Sequence, residues 1–144
     1  MTVTADSPRP ARRTDASLVL LLIGDLMLFA GGSIAHSGVP IPLGVGTWVE
    51  PLLIPATIIE GVGAIGLLAA LAVLLARSRW AEVIGWWVLW YCFAGVLWGM
   101  GRLAVGSIPE ARTMTNDFLH MGMIILTTLA LVRLAGLRSR GRRP

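Results

Sequence analysis

Four apolar stretches, each about as long as a bilayer core is thick, constrain this chain more than any other feature. A helix needs about 20 residues to cross the hydrocarbon core, and the runs 17–36, 52–76, 82–104 and 117–137 all reach that length. Irregular backbone is costly in lipid, so each run is predicted to be helical with its backbone groups bonded internally. A membrane barrel would instead need alternating segments of about 10 residues, and the sequence has none. Composition agrees: 56% of the 144 residues are hydrophobic and 14% charged, with a mean hydropathy of +0.76. A soluble domain carries about 25% charged residues, so too little polar surface is available to cover a water-soluble globule. The single cysteine, Cys92, excludes an intrachain disulfide and any paired-cysteine redox or zinc motif.

The expected fold is therefore all-α, an integral membrane four-helix bundle with up-down-up-down topology. It spans residues 17–137, between a disordered N-terminal tail, 1–16, and a basic C-terminal tail, 138–144. All twelve basic residues are arginine and most lie near the termini. The sequence pI of about 11.0 thus reflects terminal charge rather than a nucleic-acid-binding surface, and no nucleic-acid partner is expected. Arg9, Arg12 and Arg13, the turn arginines Arg77 and Arg79, and Arg138, Arg140, Arg142 and Arg143 fall on one side of such a bundle. The opposite loops carry Arg112 beside Glu50 and Glu110. By the positive-inside rule both termini are expected to be cytoplasmic. Arg133, in the last inward turns, is expected to snorkel to the headgroups.

The first run imitates a signal peptide, with arginines before it and Ser33-Ile34-Ala35 as a loose cleavage site. It is long for such a segment and is interrupted by Asp25, so it reads as a retained helix. The loop 37–51 contains Val39-Pro40-Ile41-Pro42, which suggests an extended, re-entrant or surface-lying segment, and Trp48 suits an interfacial anchor, as does Trp80 on the other side.

Ionisable residues inside a span cost at least about 2.5–3.5 kcal/mol near the bilayer centre and normally face the bundle interior. Helical spacing places Asp25, Gly32 and His36 on one stripe, and Glu60, Gly63, Ala64 and Leu67 on a second. A third stripe holds Tyr91, Gly95, Gly99 and Arg102, and a fourth Asp117, His120, Ile124 and Thr127. Glu60 lies about 12 Å below the outer end of its span at 1.5 Å per residue. His36, Glu60, Arg102, Asp117 and His120 are thus compatible with one outward-facing vestibule, with Asp25 and Tyr91 as deeper polar candidates that could bond each other. A structural alternative is that Glu60 and Arg102 neutralise each other and fix helix register. A second is that Asp117 and His120 form an ordinary pair at a helix start.

Several motifs look more specific than they are. Gly61-Val62-Gly63-Ala64-Ile65-Gly66 matches a dinucleotide fingerprint, but it lies within an apolar helix without the strand that such a site requires. It reads as small residues for close helix packing, as does Gly95-Val96-Leu97-Trp98-Gly99, within the bundle or between protomers. No metal site is assigned. Haem and copper are not expected, because the two histidines lack a spaced ligand motif and Met100, Met121 and Met123 near His120 read as core fillers.

Gly38-Val39-Pro40, then Ile59-Glu60-Gly61-Val62-Gly63, then Leu67-Leu68 and Arg77 before the third helix resemble the DoxX-like family of small four-helix bacterial membrane proteins. The resemblance covers roughly half of the chain. It implies a multi-pass inner-membrane subunit or partner in a quinone- or thiol-linked redox or envelope-stress system, and carries over Glu60 alone as a polar position. The Trp-rich third helix and the Asp117–His120 pair depart from it. In the enzyme form, a quinol or other small redox molecule would occupy the vestibule, His120 would exchange protons and Arg102 would hold an anionic oxygen. The alternatives are a scaffold or oligomerising protein without its own activity, and a small transporter or channel subunit using Asp25 and Glu60. Besides lipid, the expected partners are a redox protein or a second copy of the chain.

Overall fold

A computed structural model describes residues 15–42, 44–107 and 113–141, with side chains described to residue 139. Residues 1–14 of the N-terminal tail, Glu110, Arg112 and the arginines from 140 onward lie outside the described residues or side chains. Four helices account for most of the chain: α1 (Ala16–His36), α2 (Ile54–Leu75), α3 (Ala81–Ala104) and α4 (Met114–Gly141). All four are long and apolar enough to cross a membrane. The loop after α1 contains a short antiparallel ladder of β1 (Ile41–Pro42) and β2 (Thr47–Trp48), with Ile41 opposite Trp48.

Local chemistry sets the helix ends. Asp15 caps α1 by accepting the backbone N–H of Leu18 at 3.0 Å, which satisfies one of the donors every helix start leaves open. Pro55 lies in the first turn of α2, where its missing N–H costs nothing. The α2 terminus turns through Arg77, whose φ of 54° lets Ser78 donate back to the Val73 carbonyl at 2.9 Å. α4 begins three residues earlier than the apolar run, because the Thr113 hydroxyl accepts the Asn116 N–H at 3.1 Å.

Burial repeats with alternating steps of four and three along the inner faces: Leu18, Leu22, Asp25, Phe29, Gly32 and His36 on α1, and Asn116, His120, Met123, Thr127, Ala130 and Leu134 on α4. That average of 3.5 keeps a straight seam against neighbouring helices and is the spacing of left-handed bundle packing. α1 packs on α2 and α4, and α3 packs on the same two helices, closing a ring. Large apolar side chains point outward on every helix, among them Met27, Ile65, Trp87 and Phe118. A water-soluble fold would bury such residues, whereas a lipid-facing one exposes them.

The glycines of the apparent nucleotide motif serve packing. A Cβ on Gly63 would lie 2.7 Å from Phe29, one on Gly61 would lie 3.0 Å from Ser33 Oγ, and one on Gly66 would lie 3.2 Å from Val88. Gly95 likewise faces Ile59, and Gly99 faces His120, so the GxxxG segment is used within the bundle.

One expected pairing is corrected. Asp25 bonds Thr127, whose hydroxyl donates to Oδ2 at 2.7 Å, while Tyr91 is exposed and donates to the Ile59 carbonyl at 3.2 Å. The inner stripe of α3 is Gly85, Leu89, Cys92, Val96 and Leu103, which turns Tyr91 and Arg102 away from the axis. Arg133 pairs with Asp15 through Nη2 at 2.6 Å, an ion pair within the chain.

Candidate functional site

The end of α1, the start of α2, the end of α3 and the start of α4 meet at one end of the bundle. Backbone and side-chain bonds fix that junction. Leu53 N–H donates to the His36 carbonyl at 2.9 Å, coupling the last residue of α1 to the entry of α2. Ser33 Oγ donates to the Thr57 carbonyl at 2.9 Å, joining the same helices one turn deeper. Glu50 Oε1 accepts from Trp48 Nε1 at 2.7 Å and from Thr113 Oγ1 at 2.8 Å, strapping the hairpin loop to the start of α4.

Within this frame three buried side chains converge from three helices. Glu60 Oε1 lies 3.6 Å from His36 Nε2 and 3.5 Å from His120 Nε2. The two imidazole rings are 6.2 Å apart, centre to centre. Neither histidine–carboxylate distance is a good hydrogen bond, which for nitrogen and oxygen ends near 3.2 Å. Both ring nitrogens of His36 and Glu60 Oε2 are enclosed without a hydrogen-bond partner among the described residues. On the other side of His120, Nδ1 is 2.9 Å from the Asn116 carbonyl. A carbonyl only accepts, so Nδ1 carries a proton and Nε2 is the ring nitrogen that faces the cluster.

A cavity of about 150 Å³ opens from this cluster between α2 and α3. A cavity of that size holds one benzene-sized ring. Its walls are mainly apolar, including Phe29, Ile59, Val96 and Gly99, and the exposed Pro55, Trp98 and Arg102 mark its mouth. Arg102 lies over the Trp98 ring, 5.6 Å from its centre.

Of the five vestibule residues expected from the sequence, the structure brings His36, Glu60 and His120 into contact. Arg102 reaches only the mouth, and among the described residues Glu60 has ion-pair contacts with the two histidines instead of with Arg102. Asp117 is exposed and points away, because the inward residue of that turn is Asn116, one full turn before His120. Sequence reasoning passed over Asn116; its position four residues before His120 was the available signal. Met100, Met121 and Met123 are absent from the cavity lining. A haem between the histidines does not fit, since the Glu60 carboxylate occupies the space between their Nε2 atoms.

Four membrane-length helices with apolar exteriors define a multi-pass helical membrane protein, with its buried ionisable cluster of His36, Glu60 and His120 at one end and the Asp25–Thr127 pair deeper. Comparison with protein-family models, curated proteins and solved structures returned no match for this chain.

Proposed function

We propose that this chain is a bacterial inner-membrane protein that binds a quinol-type ring in its end cavity and works with a redox partner, as its resemblance to the DoxX-like family implies. The observation that carries the reading is one apolar, ring-sized cavity ending on His36, Glu60 and His120. A quinol has that form, with an apolar ring and oxygen atoms at its edge. The walls would take the ring and the polar cluster its oxygens, with Glu60 and the histidines as proton acceptors. Arg102, at the mouth, is placed to attract an anionic form. Arginine placement supports an up-down-up-down bundle with both termini cytoplasmic and the cavity at the outer leaflet.

A proton path through the bundle from Asp25 to Glu60 is less well supported. The two lie on either side of Phe29, which is fully buried and packed on Gly63. That ring fills the level between the carboxylates and favours a closed cavity over a conduit.

The test is binding of a short-chain benzoquinol to the detergent-purified protein, followed by quenching of Trp98 fluorescence against a Trp98→Phe control. Saturable quenching is expected, and Gly99→Leu should abolish it by filling the cavity while leaving every polar group in place. Equal quenching in Gly99→Leu, or none in the unmodified protein, would refute the reading.

A further inference from the structure

We infer that His36, Glu60 and His120 form a binding site for one divalent transition-metal ion of the zinc type, held by two imidazole nitrogens and one carboxylate with a further position open to the cavity. This goes beyond the quinol reading and does not depend on it.

The donor set comes first. The three side chains are all buried, and each can bring one ligand atom to within 4.8 Å of the other two. Two ligands on a tetrahedral zinc ion at about 2.0–2.1 Å lie about 3.3 Å apart. The observed His36–Glu60 and His120–Glu60 separations of 3.6 and 3.5 Å need only small side-chain rotations to reach that edge length. Imidazole nitrogen suits zinc, iron, nickel and copper, whereas magnesium and calcium prefer oxygen, so the pair of histidines selects against the alkaline-earth ions.

Second, the site is unsatisfied on its own terms. Buried polar groups nearly always have partners. Yet His36 Nε2, on the side where the three residues converge, is enclosed without one among the described residues, and so is Glu60 Oε2, which faces Gly32. A cation at the point of convergence would engage His36 Nε2 and the Glu60 carboxylate through Oε1, and offset the burial of the Glu60 charge, which is costly when uncompensated.

Third, His120 is oriented as metal-bound histidines usually are. Its Nδ1 proton is directed to a backbone carbonyl, that of Asn116, which fixes the tautomer and leaves Nε2 free to ligate.

Finally, three protein ligands beside a cavity are the arrangement of metal centres that keep an open position for water or another ligand, not of closed structural sites. Glycine at position 32 makes the arrangement possible: a Cβ there would lie 2.5 Å from Glu60 Oε2.

The experiment uses the full chain in mild detergent, stripped with a chelator and titrated with Zn²⁺ against a chromophoric competitor. One ion per chain is expected. His36→Gln, Glu60→Gln and His120→Gln should each weaken binding by about a hundredfold or more, since even indirect partners of metal ligands are worth 10–100-fold. Tyr91→Phe should leave affinity unchanged. X-ray absorption of the zinc-loaded unmodified chain should show two imidazoles and only nitrogen or oxygen ligands, a readout that holds even if a variant fails to fold. Failure of the unmodified chain to bind stoichiometrically, a shell with fewer than two imidazoles, or full affinity in folded His36→Gln would overturn the site and leave an enclosed water as the occupant. Zinc binding without quinol binding would leave this inference standing and remove the other.

Discussion

Thr127 donates its hydroxyl to Asp25 across the α1–α4 interface at 2.7 Å, with both side chains entirely enclosed. Asp25 Oδ1 has no hydrogen-bond partner among the described residues, so the pair is the chief polar contact of that level. Thr127→Val should therefore destabilise the bundle by about 1–3 kcal/mol, the cost of leaving a buried polar group unsatisfied. The double replacement Asp25→Val and Thr127→Val should cost much less than the sum of the single changes. Unfolding in mixed micelles measures both, and strict additivity would count against the bond.

Two adjacent glycines separate packing from helix propensity. Gly31→Ala meets nothing within 4 Å and should be neutral or slightly stabilising, because alanine is favoured over glycine in a helix by about 1 kcal/mol. Gly32→Ala would drive a methyl group into the Glu60 carboxylate and against Leu119. It should weaken zinc and quinol binding although no polar group is lost. Equal binding by the two variants would show that the carboxylate does not need its present position.

Arg133 and the α1 cap hold the Asp15 carboxyl far below the usual carboxylate range, chiefly through the hydrogen bond from Arg133 and then that from Ser17. A group whose folded pKa is depressed contributes stability above its unfolded pKa of about 3.9 and loses it as pH falls toward the folded value. Asp15→Asn should accordingly reduce stability at pH 7, and the difference from the unmodified protein should shrink below about pH 4. Thermal unfolding at pH 7, 5 and 3 is the measurement; a difference that stays constant would contradict the ion pair.

Arg102→Gln should change bundle stability by no more than about 0.5 kcal/mol, as expected for an exposed residue, and its effect should add to that of Glu60→Gln. Coupling should appear between Glu60→Gln and His120→Gln, which are in contact. A double-mutant cycle showing the opposite pattern would restore the Glu60–Arg102 pair.

Cys92 is buried, so an impermeant thiol reagent should read only introduced cysteines. Ser107→Cys should be labelled in intact cells and Ser139→Cys protected. The reverse result would invert the proposed orientation and put the cavity on the cytoplasmic side.

The helices were legible because a 20-residue apolar run permits few other structures in lipid. Their limits moved by only a few residues, most in α4, which starts three residues earlier, at the Thr113 cap, and runs four residues further, to Gly141. The convergence of His36, Glu60 and His120 was legible from depth and helical phase. Their ligand geometry was not, since three ligands from three helices leave no local spacing. α3 misled for a physical reason: it is apolar on nearly all sides, so its few polar residues suggested an inner face, whereas Leu89, Cys92 and Val96 form it. On α4 a charged Asp117 drew attention from the neutral Asn116, although the 3.5-residue seam selects the latter.

The strap from Glu50 to Trp48 and Thr113 sits at the bundle end that holds His36, while the cavity is lined by α2 and α3 residues beside the exposed Trp98. On the proposed reading, a visitor to Glu60 would therefore enter sideways, from among the lipids. The bilayer then acts as the first filter, concentrating oily molecules and thinning out water-loving ones before any side chain meets them. Occupancy will track the amount dissolved per volume of membrane, and an affinity quoted against the aqueous concentration will mix partitioning with recognition.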